Sequence, residues 1–113
     1  SNSVSLICRY SDQGWYEFNV AMDGTYNIYR YDTALGDYVA LYSGGSTAIK
    51  IGKDTNDIVA VCIGNQLTLV VNDTTVRTVT DKNLKSGKVG LSLSSFNSTP
   101  IVGEFDYFVA IVP

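Results

Sequence analysis

Residues 15–31 read WYEFNVAMDGTYNIYRY, two alternating runs of apolar and polar residues on either side of one Asp-Gly. Such a pattern predicts a β-hairpin. Successive strand side chains point to opposite faces, and glycine accepts the positive φ that a tight turn requires. The length of the turn decides which rings belong to the core. A two-residue loop at Asp23-Gly24 places Tyr16, Phe18 and Val20 on the same face as Asn27. A three-residue loop, Met22-Asp23-Gly24, instead pairs Ala21 with Thr25. It gathers Tyr16, Phe18, Val20, Tyr26 and Ile28 on one face, with Arg30 at its end. The other face then holds Trp15, Glu17, Asn19, Thr25, Asn27, Tyr29 and Tyr31. A one-residue slip would expose the whole apolar set, so a half-buried sheet selects the three-residue loop.

The rest of the chain has the same grain. Helical periodicity is absent. Runs rich in β-branched and aromatic residues predict strands near 4–10, 15–21, 25–31, 37–42, 57–63, 66–72, 75–80, 88–94 and 103–111. Polar turns such as Gly64-Asn65 and Asn72-Asp73 separate them. A two-residue turn at Gly64-Asn65 pairs Ile63 with Gln66. Ile58, Ala60, Cys62, Leu67, Leu69 and Val71 then form a uniformly apolar face. Many short strands with polar turns indicate an antiparallel sandwich or barrel. The 113 residues suffice for one domain and not for two. No apolar run reaches the roughly 20 residues of a membrane helix, so membrane insertion is not expected. The chain opens at Ser1 without an initiator methionine, as expected of a processed product or a piece of a longer protein.

Several chemistries are disfavoured. There is no histidine, which removes the commonest general base and zinc ligand. Net charge is −3 with scattered lysines and arginines, so nucleic acid is not an expected partner. Glycoside hydrolysis needs two facing carboxylates, and nothing in the spacing brings Glu17 and Glu104 together. Glu104 and Asp106 read as solvated edge charges. Asp54, Asn56 and Asp57 form a small acidic turn whose oxygens suit calcium, although turn chemistry alone accounts for it. No other cofactor is implied. Asn72-Asp-Thr and Asn97-Ser-Thr are formal glycosylation sequons.

Cys8 and Cys62 lie 54 residues apart, a spacing that fits no metal site. They form either one disulfide, implying an oxidising compartment, or two buried thiols. The even count in a Tyr/Thr/Ser/Asn-rich, histidine-free chain favours the disulfide. Cys62 falls on the apolar face and Cys8 shares parity with Leu6. Both sulfurs should therefore be buried, and Cα atoms more than about 7 Å apart would rule the bridge out.

The polar face of the first hairpin is the candidate binding site: Trp15, Glu17, Asn19, Asn27, Tyr29 and Tyr31. Rings stack on the C–H face of a pyranose, while amides and carboxylates pair with its hydroxyls. The structural alternative is that cross-strand aromatic pairs simply stabilise a sheet.

Three stretches carry a family resemblance. VSLICRYSDQGWYEFNVAMDGTYNIYRYD resembles the strand, strand, D-G turn, strand unit of laminin G-like domains in the concanavalin A-like jelly-roll superfamily. NDIVAVCIGNQLTLVVNDTTV is similar to the later hairpin of that family. LKSGKVGLSLSS and GEFDYFVAIVP resemble the closing strands of its bacterial extracellular members. Two features depart from the pattern. Asn72-Asp73-Thr74 replaces the usual VNG, and the strands that normally precede the LICR-like one are missing. They are either absent from this piece or supplied by a partner, since an open sheet edge invites pairing.

The resemblance implies an all-β, antiparallel, two-sheet jelly-roll sandwich over residues 1–113, the C-terminal portion of a larger domain or protein. It also implies a non-catalytic, lectin-like binding module, extracellular or at the cell surface, whose partner is carbohydrate or an extracellular protein. An assembly module completed by a strand-donating or homo-oligomeric partner is the alternative. A fragment of a glycoside-processing enzyme is a third reading.

Overall fold

A computed structural model describes residues 3–51 and 56–84 in full, and the strand backbone of 88–94 and 105–111. The nine strands among the described residues are β1 (Ser3–Ser11), β2 (Gly14–Ala21), β3 (Thr25–Asp32), β4 (Asp37–Gly45), β5 (Asn56–Ile63), β6 (Gln66–Val71), β7 (Thr74–Thr80), β8 (Lys88–Ser94) and β9 (Phe105–Ile111). They form a two-sheet β-sandwich. One sheet has the order β4-β3-β2-β1-β8 and the other β7-β6-β5-β9. The ladders are antiparallel with one exception: β9 runs parallel to β5. β8 lies at one edge of the first sheet and β9 at one edge of the second. β1 is flanked by both β2 and β8, so it is not an open edge.

Both hairpin registers follow from burial. Phe18 pairs with Ile28 and Val20 with Tyr26, which leaves Met22-Asp23-Gly24 as a three-residue loop. Gly24 closes it at φ 92°, and its N–H donates to the Ala21 carbonyl at 3.1 Å. Ile63 pairs with Gln66 across Gly64-Asn65. The two apolar faces meet: Leu6, Tyr16, Phe18 and Ile28 pack among Ile58, Ala60, Leu67 and Leu69, all without solvent exposure. At about 1.5–3 kcal/mol for each fully buried large aliphatic or aromatic side chain, this cluster is the main force holding the sheets together.

Three polar devices complete the interior. Cys8 and Cys62 form the disulfide across the sandwich, with Cα atoms 6.7 Å apart. Arg9, 2% exposed, reaches from β1 to donate to the carbonyls of Gly64, Leu84 and Cys62. Arg30, at the end of the apolar face as the sequence implied, pairs with Asp81. Asp81 also accepts from the Tyr16 hydroxyl at 2.6 Å and from both nitrogens of Asn83 at 3.0 Å. Burial pushes the Asp81 carboxyl up, but these donors and the Arg30 charge outweigh it and hold it below its usual value. The same burial, reinforced by the bond to Asp81, pushes the Tyr16 phenol up to about 12.

The expected acidic turn has a structural role in the part that is described. Asn56 is fully buried, and its Oδ1 accepts from the Lys50 amide at 2.8 Å and from Asn72 Nδ2 at 2.9 Å. Asp54 lies outside the described residues, as do Glu104 and Asn97. Asn72 and Asp73 both take positive φ, 52° and 66°, so this turn achieves without glycine the conformation of a primed hairpin turn. The Asn72 amide also donates to the Ala48 carbonyl at 2.8 Å. In the folded chain, its glycosylatable nitrogen is therefore doubly engaged.

Candidate functional site: the outer face of the five-stranded sheet

Pairing across β1 to β4 sorts the outward side chains into rows. Trp15 lies opposite Tyr31, Glu17 opposite Tyr29, and Asn19 opposite Asn27. The structure thus brings all six sequence-derived candidates onto one face. Neighbouring strands extend each row. Ile7 stands beside Glu17, and Ser5 beside Asn19. Tyr38 stands beside Tyr31, Ala40 beside Tyr29, and Ser43 beside Asn27.

The first row is a wall of rings. Trp15 is sandwiched between Tyr31, at 4.4 Å between centroids, and Tyr10, at 5.3 Å, with all three planes within 20° of their neighbours. Tyr38 closes the row edge-on, 5.0 Å from Tyr31 and 5.5 Å from Tyr29. Both faces of the indole are thereby occupied by tyrosines. A sugar stacked flat on Trp15, the simplest form of the sequence-based expectation, is therefore replaced by a surface made of ring edges and of the outer rings Tyr10 and Tyr38. Gly14 permits the close approach behind this wall: a Cβ there would come within 1.9 Å of the Tyr31 carbonyl oxygen.

Tyr10 and Tyr38 were not among the candidates, because strict alternation sends them inward with Cys8 and Tyr42. A β-bulge reverses each. In β1 one extra residue separates the pairs Cys8–Tyr16 and Ser11–Gly14. Arg9, at φ 58°, takes the inward position, and Tyr10 emerges 51% exposed. In β4 Leu41 is the extra residue between the partners of Ile28 and Tyr29. It packs inward beside Tyr42, and Tyr38 emerges 46% exposed. Bulges that re-aim a side chain recur next to functional sites.

Behind the wall lies a floor of short polar side chains. A chain of hydrogen bonds runs across it. Trp15 Nε1 donates to Glu17 Oε1 at 3.0 Å, the Tyr38 hydroxyl to the same oxygen at 3.3 Å, Ser5 Oγ to Glu17 Oε2 at 3.3 Å, and Asn19 Nδ2 to Ser5 Oγ at 2.9 Å. Burial, then the negative charge of Glu17, raises the pKa of the Tyr38 phenol, which keeps it a neutral donor. The Asn27 side chain has no partner among the described residues, so its amide offers both donors and an acceptor above the floor. A ring wall beside amides, hydroxyls and one carboxylate can hold a ligand with an apolar face and a hydroxylated rim.

A separate open cleft of about 470 Å³ lies at one end of the sandwich, lined by Asp12, Gln13, Asp32, Thr33, Asn83 and neighbouring residues. Asp32 is already committed there to the Ala34 and Leu35 amides. No helix among the described residues is long and apolar enough to cross a membrane.

No family model and no curated protein sequence matches the chain. Among solved structures it is similar to the carbohydrate-binding module CBM66 from Bacillus subtilis. The TM-score is 0.62 and the identity 17%, over 80% of this chain and 58% of that one. The likeness is one of fold, to a β-sandwich in general rather than to concanavalin A-like domains in particular. This chain spans less than two thirds of the module it resembles.

Proposed function

We propose that the chain is a non-catalytic glycan-binding module and that the outer face of the five-stranded sheet is its binding surface. The observation that carries this reading is the pairing of the Tyr10-Trp15-Tyr31-Tyr38 wall with the Ser5-Asn19-Asn27-Ser43 floor. Rigid strands hold both, and Asn27 is left free to bond. Two bulges supply half of the wall. The fold it shares with a carbohydrate-binding module is consistent with this role. The interior disulfide fits a protein working outside the cell or at its surface.

Trp15, Tyr31, Tyr10 and Tyr38 set the wall against which the apolar face of a sugar ring rests. Tyr29, Asn19 and Asn27 meet its hydroxyls. Binding through one such shallow face is weak, and useful affinity comes from several modules or repeated ligands. Affinity gels containing different polysaccharides test the reading: Tyr29→Ala and Asn27→Ala should each abolish the retardation seen for the parent chain. Retardation that is unchanged in both removes this face as the site.

A second reading is assembly. β4 is an edge strand of the five-stranded sheet, with Asp37, Tyr38, Ala40, Ser43 and Gly45 exposed along it. A strand from another chain could add there. Mass in solution separates the two, because a monomer across the working concentration range argues against assembly.

A further inference from the structure

A carboxylate at the centre of the platform can accept from sugar hydroxyls, and it also brings a charge that neutral hydroxyls leave unmatched. Glu17 is held there by three donors, the Trp15 indole, the Tyr38 hydroxyl and the Ser5 hydroxyl, every one of them neutral. Its position is therefore fixed, and among the described residues no cation compensates its charge. Both described ion pairs belong to Arg30, on the inner side of the sheet, and neither includes Glu17. Among the described outward side chains of β1 to β4, Glu17 is the one ionised group. Lys88 pairs with Tyr10 on β8, at the far end of the ring row from Tyr38.

A cation entering this platform forms a charge-assisted hydrogen bond to a carboxylate whose orientation is already set. An anion is opposed by the same charge. Resting on the glycan-binding reading above, we infer that Glu17 makes the platform selective for glycans that carry a protonated amine, that is, unacetylated hexosamine units, over N-acetylated or uronate-containing ones. An N-acetyl group presents a neutral amide in place of the ammonium, and a uronate places a second carboxylate beside Glu17.

The test is a titration of the intact chain with three probes of equal length: glucosamine oligomers, N-acetylglucosamine oligomers and galacturonate oligomers. It is run at low salt and mildly acidic pH, where the amine is protonated and the carboxylates stay ionised. The glucosamine oligomer should bind about tenfold more tightly than its N-acetylated counterpart, the scale of one charge-assisted bond over a neutral one. The galacturonate should bind least. Glu17→Gln should bring the amine-to-acetyl ratio to about twofold or less, with near-UV circular dichroism confirming a native fold. Raising the salt should shrink the same ratio in the unmodified chain, which checks the charge without any substitution. A ratio near one in the unmodified chain, or a ratio unaltered by Glu17→Gln and by salt, overturns the inference. If the N-acetylated oligomer binds in a Tyr29-dependent way with no preference for the amine, the glycan reading stands and the charge selectivity alone falls. Binding of none of the three overturns the charge selectivity, and the glycan reading falls with it only where neutral hexose oligomers also fail to bind.

Discussion

Tyr10 lies face to face with Trp15, ring centroids 5.3 Å apart and planes 20° from parallel, although Cys8, two residues before it, points into the core. A strand of regular period cannot do both. The difference is made by Arg9, whose positive φ inserts one residue into β1 and whose guanidinium occupies the interior in place of the tyrosine. The ring wall outside and the buried clamp inside are consequences of the same bulge.

Arg9→Ala should therefore act on both sides of the sheet. Its loss leaves the carbonyls of Gly64, Leu84 and Cys62 without this donor, a cost of about 2 kcal/mol or more, measurable by urea unfolding. It also frees Tyr10, so Trp15 emission should shift. Arg9→Lys should recover little, because a single ammonium cannot reproduce a planar fork aimed at three carbonyls. Full stability in Arg9→Lys would contradict the clamp.

The Tyr16-Asp81-Arg30 cluster predicts a loss of stability at both ends of the pH scale. Asp81 is held below its ordinary value, so its contribution is present above that value and is lost as pH falls through the lower, folded one. Tyr16 is raised from 10.0 to about 12, so its contribution is complete below 10.0 and is lost as pH climbs toward about 12. Thermal midpoints should fall in both windows. Tyr16→Phe should cost about 1–3 kcal/mol at neutral pH and flatten the alkaline fall, because Asp81 and the Leu84 amide lose a partner that no longer titrates. An alkaline arm of unchanged slope in Tyr16→Phe would show that other groups set it.

Reduction should be costly because the bridge spans 54 residues. Closing a loop of that length in the unfolded chain is worth about 4 kcal/mol on the chain-entropy account. Cys62→Ala should lower the urea midpoint accordingly. Because both sulfurs are buried, reductant should act on the native protein only slowly, at a rate set by opening of the sandwich. Rapid reduction under native conditions would contradict the burial.

Much of this was legible from the residues. The three-residue loop, the apolar faces of both hairpins and the burial of the two cysteines all followed from one rule, that alternation must keep a half-buried sheet dry on one side. The same rule concealed Tyr10 and Tyr38. A bulge is an extra residue rather than a distinct residue type, and neither Arg9 nor Leu41 announces one. The parallel pairing of β9 with β5 was equally hidden, because strand direction depends on which sheet a crossover returns to rather than on the composition of the strand. The polar role of Arg30 was visible only as its place at the end of an apolar face. Its partner Asp81 is distant in sequence and only the fold brings it close.

The chain has one tryptophan, and it stands in the middle of the wall. Fluorescence titration of Trp15 with a panel of soluble oligosaccharides therefore reports on the proposed surface directly. A saturable change in emission with at least one glycan, absent in Asn27→Ala, is the predicted result. A glycan that binds the chain by an independent measure, yet leaves Trp15 emission unchanged and binds Asn27→Ala equally well, would place recognition elsewhere and contradict the account.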